Sequence, residues 1–216
     1  MRHFLSIFLG LSTAVFIICI ATILTLNCTA LYETDIDHYN LVESTGMSRE
    51  EIEANYKAMI DYNNLGGPDT LVFPTLTMSE GGRIHFEDVR RVFYAMEYAA
   101  IITGIISLAG ILLMQKKKYI SYRFWIGLLT LALPAAAGCY AALAWDSLFV
   151  TFHKLLFNND YWLFDPATDP VINILPDGYF LHCLIMIIAI ALAAAVFFLL
   201  WYIHGRKALK KRFSSH

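Results

Sequence analysis

Four long apolar stretches, 4–26, 92–114, 124–145 and 179–203, decide most of what this chain can become. Each supplies the roughly 20 apolar residues that a helix needs to cross about 30 Å of hydrocarbon. A soluble helix of such length would carry a polar stripe on its outer face, and these carry almost none. Composition agrees: 58% of the 216 residues are apolar and 16% are charged, against roughly 45–50% and about 25% in soluble domains. Lipid offers backbone N–H and C=O groups no partner, so such spans must satisfy themselves as helices. The expected fold is an all-α integral membrane protein, a four-transmembrane-helix bundle with an extracytoplasmic cap, forming a single membrane domain over 1–216.

The first stretch starts like a secretory leader, with Arg2 and His3 ahead of an apolar core. That core is about twice the usual length of a leader's. Thr25-Leu26-Asn27 provides no small-x-small cleavage site, so an uncleaved span is expected.

Charge sets the orientation. Lys116, Lys117, Lys118 and Arg123 separate spans two and three, Arg206, Lys207, Lys210, Lys211 and Arg212 follow span four, and Arg2 precedes span one. The positive-inside rule places the link 115–123 and the tail 204–216 in the cytoplasm. Every Asp and Glu falls between Glu33 and Asp177, and none lies in those basic segments. The extracytoplasmic segments are then 27–91 and 146–178.

In the first of these, Ser48-x-x-Glu51 reads as a capping box. Ile52, Tyr56, Met59 and Ile60 follow at helical spacing, and Gly66-Gly67-Pro68 ends the helix. Ser79-Glu80-Gly81-Gly82 is a second start signal, for a helix that runs on into span two. The rest of this segment is poorly patterned. Span three meets no breaker until Asn158-Asn159-Asp160, which gives about 34 residues and roughly 50 Å of helix, too long for one crossing. Its end, Ser147 to Phe157, is expected to bend and lie in the interface, where aromatic side chains sit at headgroup depth. Asp165-Pro166, Asp169-Pro170 and Pro176-Asp177 then make a turn-rich return to span four.

Few residues offer chemistry. No Gly-x-Ser-x-Gly elbow, His-Glu-x-x-His, glycine-rich phosphate loop or nucleic-acid motif is present, and Cys19, Cys28, Cys139 and Cys183 have no metal-site spacing. If the chain is an enzyme, histidine supplies the base or nucleophile, with no cofactor or metal required. His85 precedes span two, with Asp88 one helical turn away; His153 follows span three, with Asp146 two turns earlier. Polar groups at such depth are expensive unless paired or working. Asp88 and Asp146 are candidate orienters of the two rings. His182, on span four, is expected to bond a neighbouring helix. Glu97 is the one acid well inside a span, and Arg90, two turns away, is placed to neutralise it.

Two motifs recur together in one family. They are Arg83-x-His85-Phe86-x-Asp88-Val89-Arg90 before span two and Phe152-His153-x-Leu155-x-Phe157-x-Asn159-Asp160-x-Trp162 after span three. The tail Asp165-Pro166-x-x-Asp169-Pro170-x-Ile172-x-x-Leu175-Pro176-x-x-Tyr179-Phe180 agrees. Here the chain resembles the lipoprotein intramolecular transacylases (Lit), small bacterial four-span proteins, with Arg90 where lysine is more usual. The resemblance implies a multi-pass enzyme of the bacterial plasma membrane, with cytoplasmic termini and an extracytoplasmic site. Its partners would be membrane lipid and a diacylated lipoprotein substrate in the outer leaflet, not nucleic acid. Its reaction would move the sn-2 acyl chain from the glyceryl ester to the α-amine of the amino-terminal cysteine, giving a lyso-form lipoprotein.

The residues suit that reaction independently. An α-amine with a pKa of about 7.7–8.0 must lose a proton before attacking an ester, and histidine, near 6.5, is a suitable base. The departing alkoxide needs a proton and the tetrahedral oxyanion a donor; alternatively a histidine takes the acyl group transiently. His85 and His153 are the expected catalytic pair, their roles not divided. Asp88, Asp146, Asp160, Arg83, Arg90 and Glu97 are supporting candidates. The competing readings are a haem-binding subunit, its irons held by histidines on neighbouring spans, or an accessory membrane subunit of a larger complex.

Overall fold

The capping box forms as its spacing requires. Ser48 Oγ accepts from the Glu51 backbone N–H at 3.2 Å, and the Glu51 carboxylate accepts from the Ser48 N–H at 2.9 Å. Helix Arg49–Asn63 grows from it and stops before a turn in which Gly66 takes a φ of +83°. In this computed structural model, which describes residues 2–214, the elements run α1 (Arg2–Leu26), α2 (Thr29–His38), α3 (Leu41–Thr45), α4 (Arg49–Asn63), α5 (Glu80–Lys116), α6 (Ser121–Leu156), a 3-10 turn (Pro170–Ile174) and α7 (Asp177–Ser214). No strand occurs among the described residues.

Four of these helices are long and apolar enough to cross a bilayer: His3–Leu26, Glu80–Lys116, Ser121–Leu156 and Asp177–Lys211. α5 begins at the second predicted start signal, where Ser79 Oγ accepts from the Gly82 N–H at 3.0 Å. The helix carrying span three is interrupted at Ala144 (φ −160°, ψ 68°), close to the bend expected from its excess length.

The chain forms two compact units, and all four long helices contribute to both. The first unit holds 1–22, 97–139 and 185–216. Its helices approach through small residues, as packing in lipid demands. A Cβ on Gly10 would lie 2.7 Å from Trp125 Cβ, one on Gly110 2.6 Å from Leu9, and one on Gly127 2.6 Å from Leu199. The Ser6 and Ser121 hydroxyls meet at 2.8 Å, one polar pair satisfied inside this unit. Ile101, Ile105, Leu108 and Phe197 remain exposed, as side chains meant for acyl chains should.

The second unit holds 23–96 and 140–184 and has its own apolar core. Tyr32, Ile36 and Leu41 from α2 and α3 pack with Ile52, Tyr56 and Ile60 of α4, and with Val171, Ile174 and Tyr179. The Tyr32 and Tyr56 rings stack at 3.7 Å and 8°, a contact worth about 0.5–1.5 kcal/mol beyond burial. Tyr32 donates its hydroxyl to the Ile174 carbonyl (2.7 Å), and the Tyr56 and Tyr179 hydroxyls meet at 2.7 Å. Burial pushes the Tyr32 and Tyr56 phenols up, so both stay protonated. α2 and α3 were not legible in the sequence. Their apolar positions make less than two turns each, and their burial depends on partners far along the chain.

Candidate functional site

Two carboxylates bring α5 and the segment after α6 together within the second unit. Asp169, buried, accepts the Ser79 N–H at 2.8 Å and so sits at the start of α5, where a helix favours negative charge. Gly81 and Gly82 allow the approach. A Cβ at Gly82 would lie 2.2 Å from Asp169 Oδ1, and one at Gly81 3.1 Å from the Tyr161 ring. Two turns further, Asp88 accepts the Asn159 amide N–H at 3.0 Å and the Arg91 guanidinium at 2.6 Å. Asp88 therefore spends its hydrogen bonds on Asn159 and Arg91 rather than on orienting His85, and its carboxylate acts on that ring through its charge, which favours the protonated form.

Between these ties, His85 and His153 face each other with ring centroids 6.2 Å apart and planes at 32°. No hydrogen bond joins the two rings among the described residues, and both lie close enough to act on one substrate group. His85 is only 6% exposed. Phe157 (5.0 Å) and Phe164 (5.3 Å) meet its ring edge to face, and Phe86 lies at 5.8 Å. Its Nδ1 is buried and has no hydrogen-bond partner among the described residues. Such an orphan costs about 1–3 kcal/mol until a water or a substrate group meets it.

His153 is half-buried and held by two aromatic rings. Phe149 lies 4.2 Å from it and Trp162 stacks at 4.7 Å and 27°. Its Nδ1 is 2.8 Å from the Phe149 carbonyl, which can only accept, so Nδ1 carries the proton and Nε2 presents its lone pair. The orienter of His153 is thus this backbone carbonyl. Asp146, the residue expected in that role, stands exposed on α6.

The other candidates are placed elsewhere. Arg83 pairs with Glu80 and Glu87 on the surface of α5. Arg90 donates to the carbonyls of Asp69 (3.0 Å) and Gly67 (3.3 Å) and to the Tyr94 hydroxyl (2.6 Å), and lies over the Tyr62 ring. It fastens the turn after α4 to α5. Asp160 is exposed in the turn, its carbonyl accepting the Leu163 N–H at 3.1 Å. Glu97 is half-buried on α5 in the first unit. His182 does bond a neighbouring helix. Its Nδ1 lies 2.8 and 3.0 Å from the two oxygens of Asp35, which is buried on α2. Asp35 was missed because α2 was missed, although Tyr32 and Ile36 at i, i+4 spacing were a usable signal.

Fold and site together define a membrane-integral α-helical protein with a two-histidine centre in an aromatic enclosure. The model of the family "Lipoprotein intramolecular transacylase Lit" matches residues 7–180. The chain belongs to that family. It is similar to the solved structure of the membrane integral lipoprotein intramolecular transacylase Lit from Bacillus cereus, at 34% identity and a TM-score of 0.93, covering 99% of this chain and 98% of that one. Structures of the Bacillus cereus protein with an H85R mutation (34% identity, TM-score 0.87, 99% and 95% covered) and an H85A mutation (33%, 0.87, 99% and 96%) are similar too. No curated protein sequence matches the chain.

Proposed function

We propose that this chain is an acyltransferase that moves the sn-2 acyl group of a diacylglyceryl lipoprotein onto the α-amine of its amino-terminal cysteine, with His153 as base and His85 as hydrogen-bond donor to the developing oxyanion. Family membership supports the reaction class. The observation that carries the division of labour is the unequal state of two imidazoles 6.2 Å apart. His153, with Nδ1–H committed to the Phe149 carbonyl, offers Nε2 to the α-nitrogen. That nitrogen attacks only after its ammonium form has lost one proton to solvent, and it gives a second proton to Nε2 as the C–N bond forms. As the amine closes on the ester carbon, negative charge grows on the carbonyl oxygen and then on the departing glycerol oxygen. Burial lowers the His85 pKa to about 4 and keeps the ring neutral, so it meets the carbonyl oxygen by donating a ring N–H hydrogen bond rather than by giving up a proton. The proton that His153 takes from the nitrogen passes to the glycerol oxygen as the C–O bond breaks, so both rings end neutral and no water is consumed. Ester and amine belong to one substrate, so much of the entropy cost of their meeting is already met by the tether.

The enclosure explains why acyl should pass to nitrogen rather than to water. Phe157, Phe164 and Phe86 cover His85 on one side, and Phe149 and Trp162 cover His153. A site that excludes water keeps a reactive intermediate from hydrolysis. Sidedness belongs to the same proposal: with the basic segments cytoplasmic, the second unit is extracytoplasmic and the substrate lies in the outer leaflet.

The test is His85→Ala, purified and given a synthetic diacylglyceryl lipopeptide, with products read by mass spectrometry. Loss of N-acyl lyso product by about 10²- to 10³-fold is expected for removing a donor to the oxyanion. Undiminished product would remove His85 from the mechanism.

A further inference from the structure

The two imidazoles sit on different helices, so something must hold their spacing, and one residue, Asn159, bonds toward both of them through its side chain and its backbone carbonyl. Asn159 donates its amide N–H to Asp88 of α5 (3.0 Å) and accepts the Tyr161 N–H on its side-chain oxygen (3.2 Å). Its backbone carbonyl accepts the indole N–H of Trp162 (3.1 Å). Trp162 is 8% exposed and lies flat against His153. One continuous chain of contacts therefore runs from α5, one turn past His85, through Asn159 and Trp162 to the His153 ring. Asp88 is itself held by Arg91. Phe149 also packs on the His153 ring, and its carbonyl accepts the Nδ1–H, so the ring is held by Trp162 and by its own helix together.

We propose that Asn159 is a positioning residue of the transacylation reaction, holding Trp162 against His153 and so keeping the His153 ring at its working distance from His85. The proposal rests on the reading that His153 takes a proton in that reaction. Only an amide meets the demand. A donor is needed toward the Asp88 carboxylate and an acceptor toward the Tyr161 N–H, at the two ends of one short side chain. Aspartate at 159 would set two carboxylates against each other, and alanine would leave both partners unmet. Trp162 contributes in a second way. An aromatic face over an imidazole is attracted to it more strongly once the ring gains a proton, which is the state His153 reaches in the step assigned to it.

The test uses the full-length enzyme in detergent and the lipopeptide assay, with kcat and KM measured separately. Asn159→Asp is expected to lower kcat about 10- to 100-fold, the scale of a displaced catalytic group, with KM unchanged because the substrate's own contacts are untouched. The exchanged pair Asp88→Asn with Asn159→Asp rebuilds the same hydrogen bond in the opposite sense and gives up only the surface Arg91 contact. It is expected to restore most of the rate. A residue that merely supported the fold would not lose kcat alone and regain it in the exchanged pair. Wild-type kcat in Asn159→Asp overturns the proposal, and so does an exchanged pair no faster than the single variant. If Asn159→Asp does not fold, Trp162→Phe decides: it keeps a stacking ring but loses the indole N–H. A fall in kcat at constant KM supports the proposal, and an unchanged kcat overturns it. His153→Ala in the same assay separates the two readings, because an active His153→Ala removes the assignment of His153 and not merely that of Asn159.

Discussion

Replacing His153 by phenylalanine isolates the chemistry of that ring from its packing. The imidazole packs against Phe149 at 4.2 Å and Trp162 at 4.7 Å. Each ring contact is worth roughly 0.5–1.5 kcal/mol, so truncation to alanine would cost about 1–3 kcal/mol of packing and confuse a lost base with a loosened site. Phenylalanine keeps a flat ring against the same two neighbours. What it loses is the Nδ1–H bond to the Phe149 carbonyl, about 1 kcal/mol net, and the Nε2 lone pair. In a chain of this size, that loss of stability lowers Tm by about 2–4 °C. Removal of a general base slows the reaction by about 10²- to 10⁴-fold, which is roughly 3–5 kcal/mol at 1.36 kcal/mol per decade. Purified His153→Phe should therefore melt within a few degrees of the wild type and give almost no N-acyl lyso product from a diacylglyceryl lipopeptide. The two readouts must part company. A folded His153→Phe enzyme with more than about a tenth of wild-type kcat would refute the argument, since a base contributes at least 10²-fold.

Two further predictions concern the enclosure and the orientation. Phe164→Ala opens one wall beside His85 and admits water, so free fatty acid is expected to rise relative to N-acylated product, and an unchanged ratio would dismiss water exclusion as the source of selectivity. A single cysteine at Glu50, in an otherwise cysteine-free chain, is expected to react with a membrane-impermeant maleimide added outside intact cells, whereas one at Lys210 is not. The reverse pattern would invert the topology and put the histidines on the wrong face for an exported substrate.

Much of the architecture could be read locally. Hydropathy is a sum along the chain, so four crossings appear without knowledge of any contact. The Ser48 capping box and the Gly81-Gly82 start of α5 are equally local, and both stand where their spacing placed them. The excess length of span three foretold a bend, and the backbone breaks at Ala144. The histidine motifs stood out because a polar ring beside an apolar span needs a reason to be there.

Other features belong to the tertiary structure alone. Sequence spacing suggested carboxylates four or fewer residues away, or two turns away, as the partners of each histidine. In the folded chain His153 is oriented by its own helix's carbonyl, His85 leaves Nδ1 free for an incoming group, and Asp88 reaches across to Asn159, 71 positions away. Asp35 and His182 meet over 147 positions, on a helix that its own short pattern did not announce. The sequence by itself determined that this chain lives in a membrane and which two rings merit suspicion, because burial in lipid depends on composition within one segment. Only the tertiary structure decided that those rings stand 6.2 Å apart in an aromatic enclosure, because that distance is set by carboxylates and glycines that become neighbours only after the helices pack.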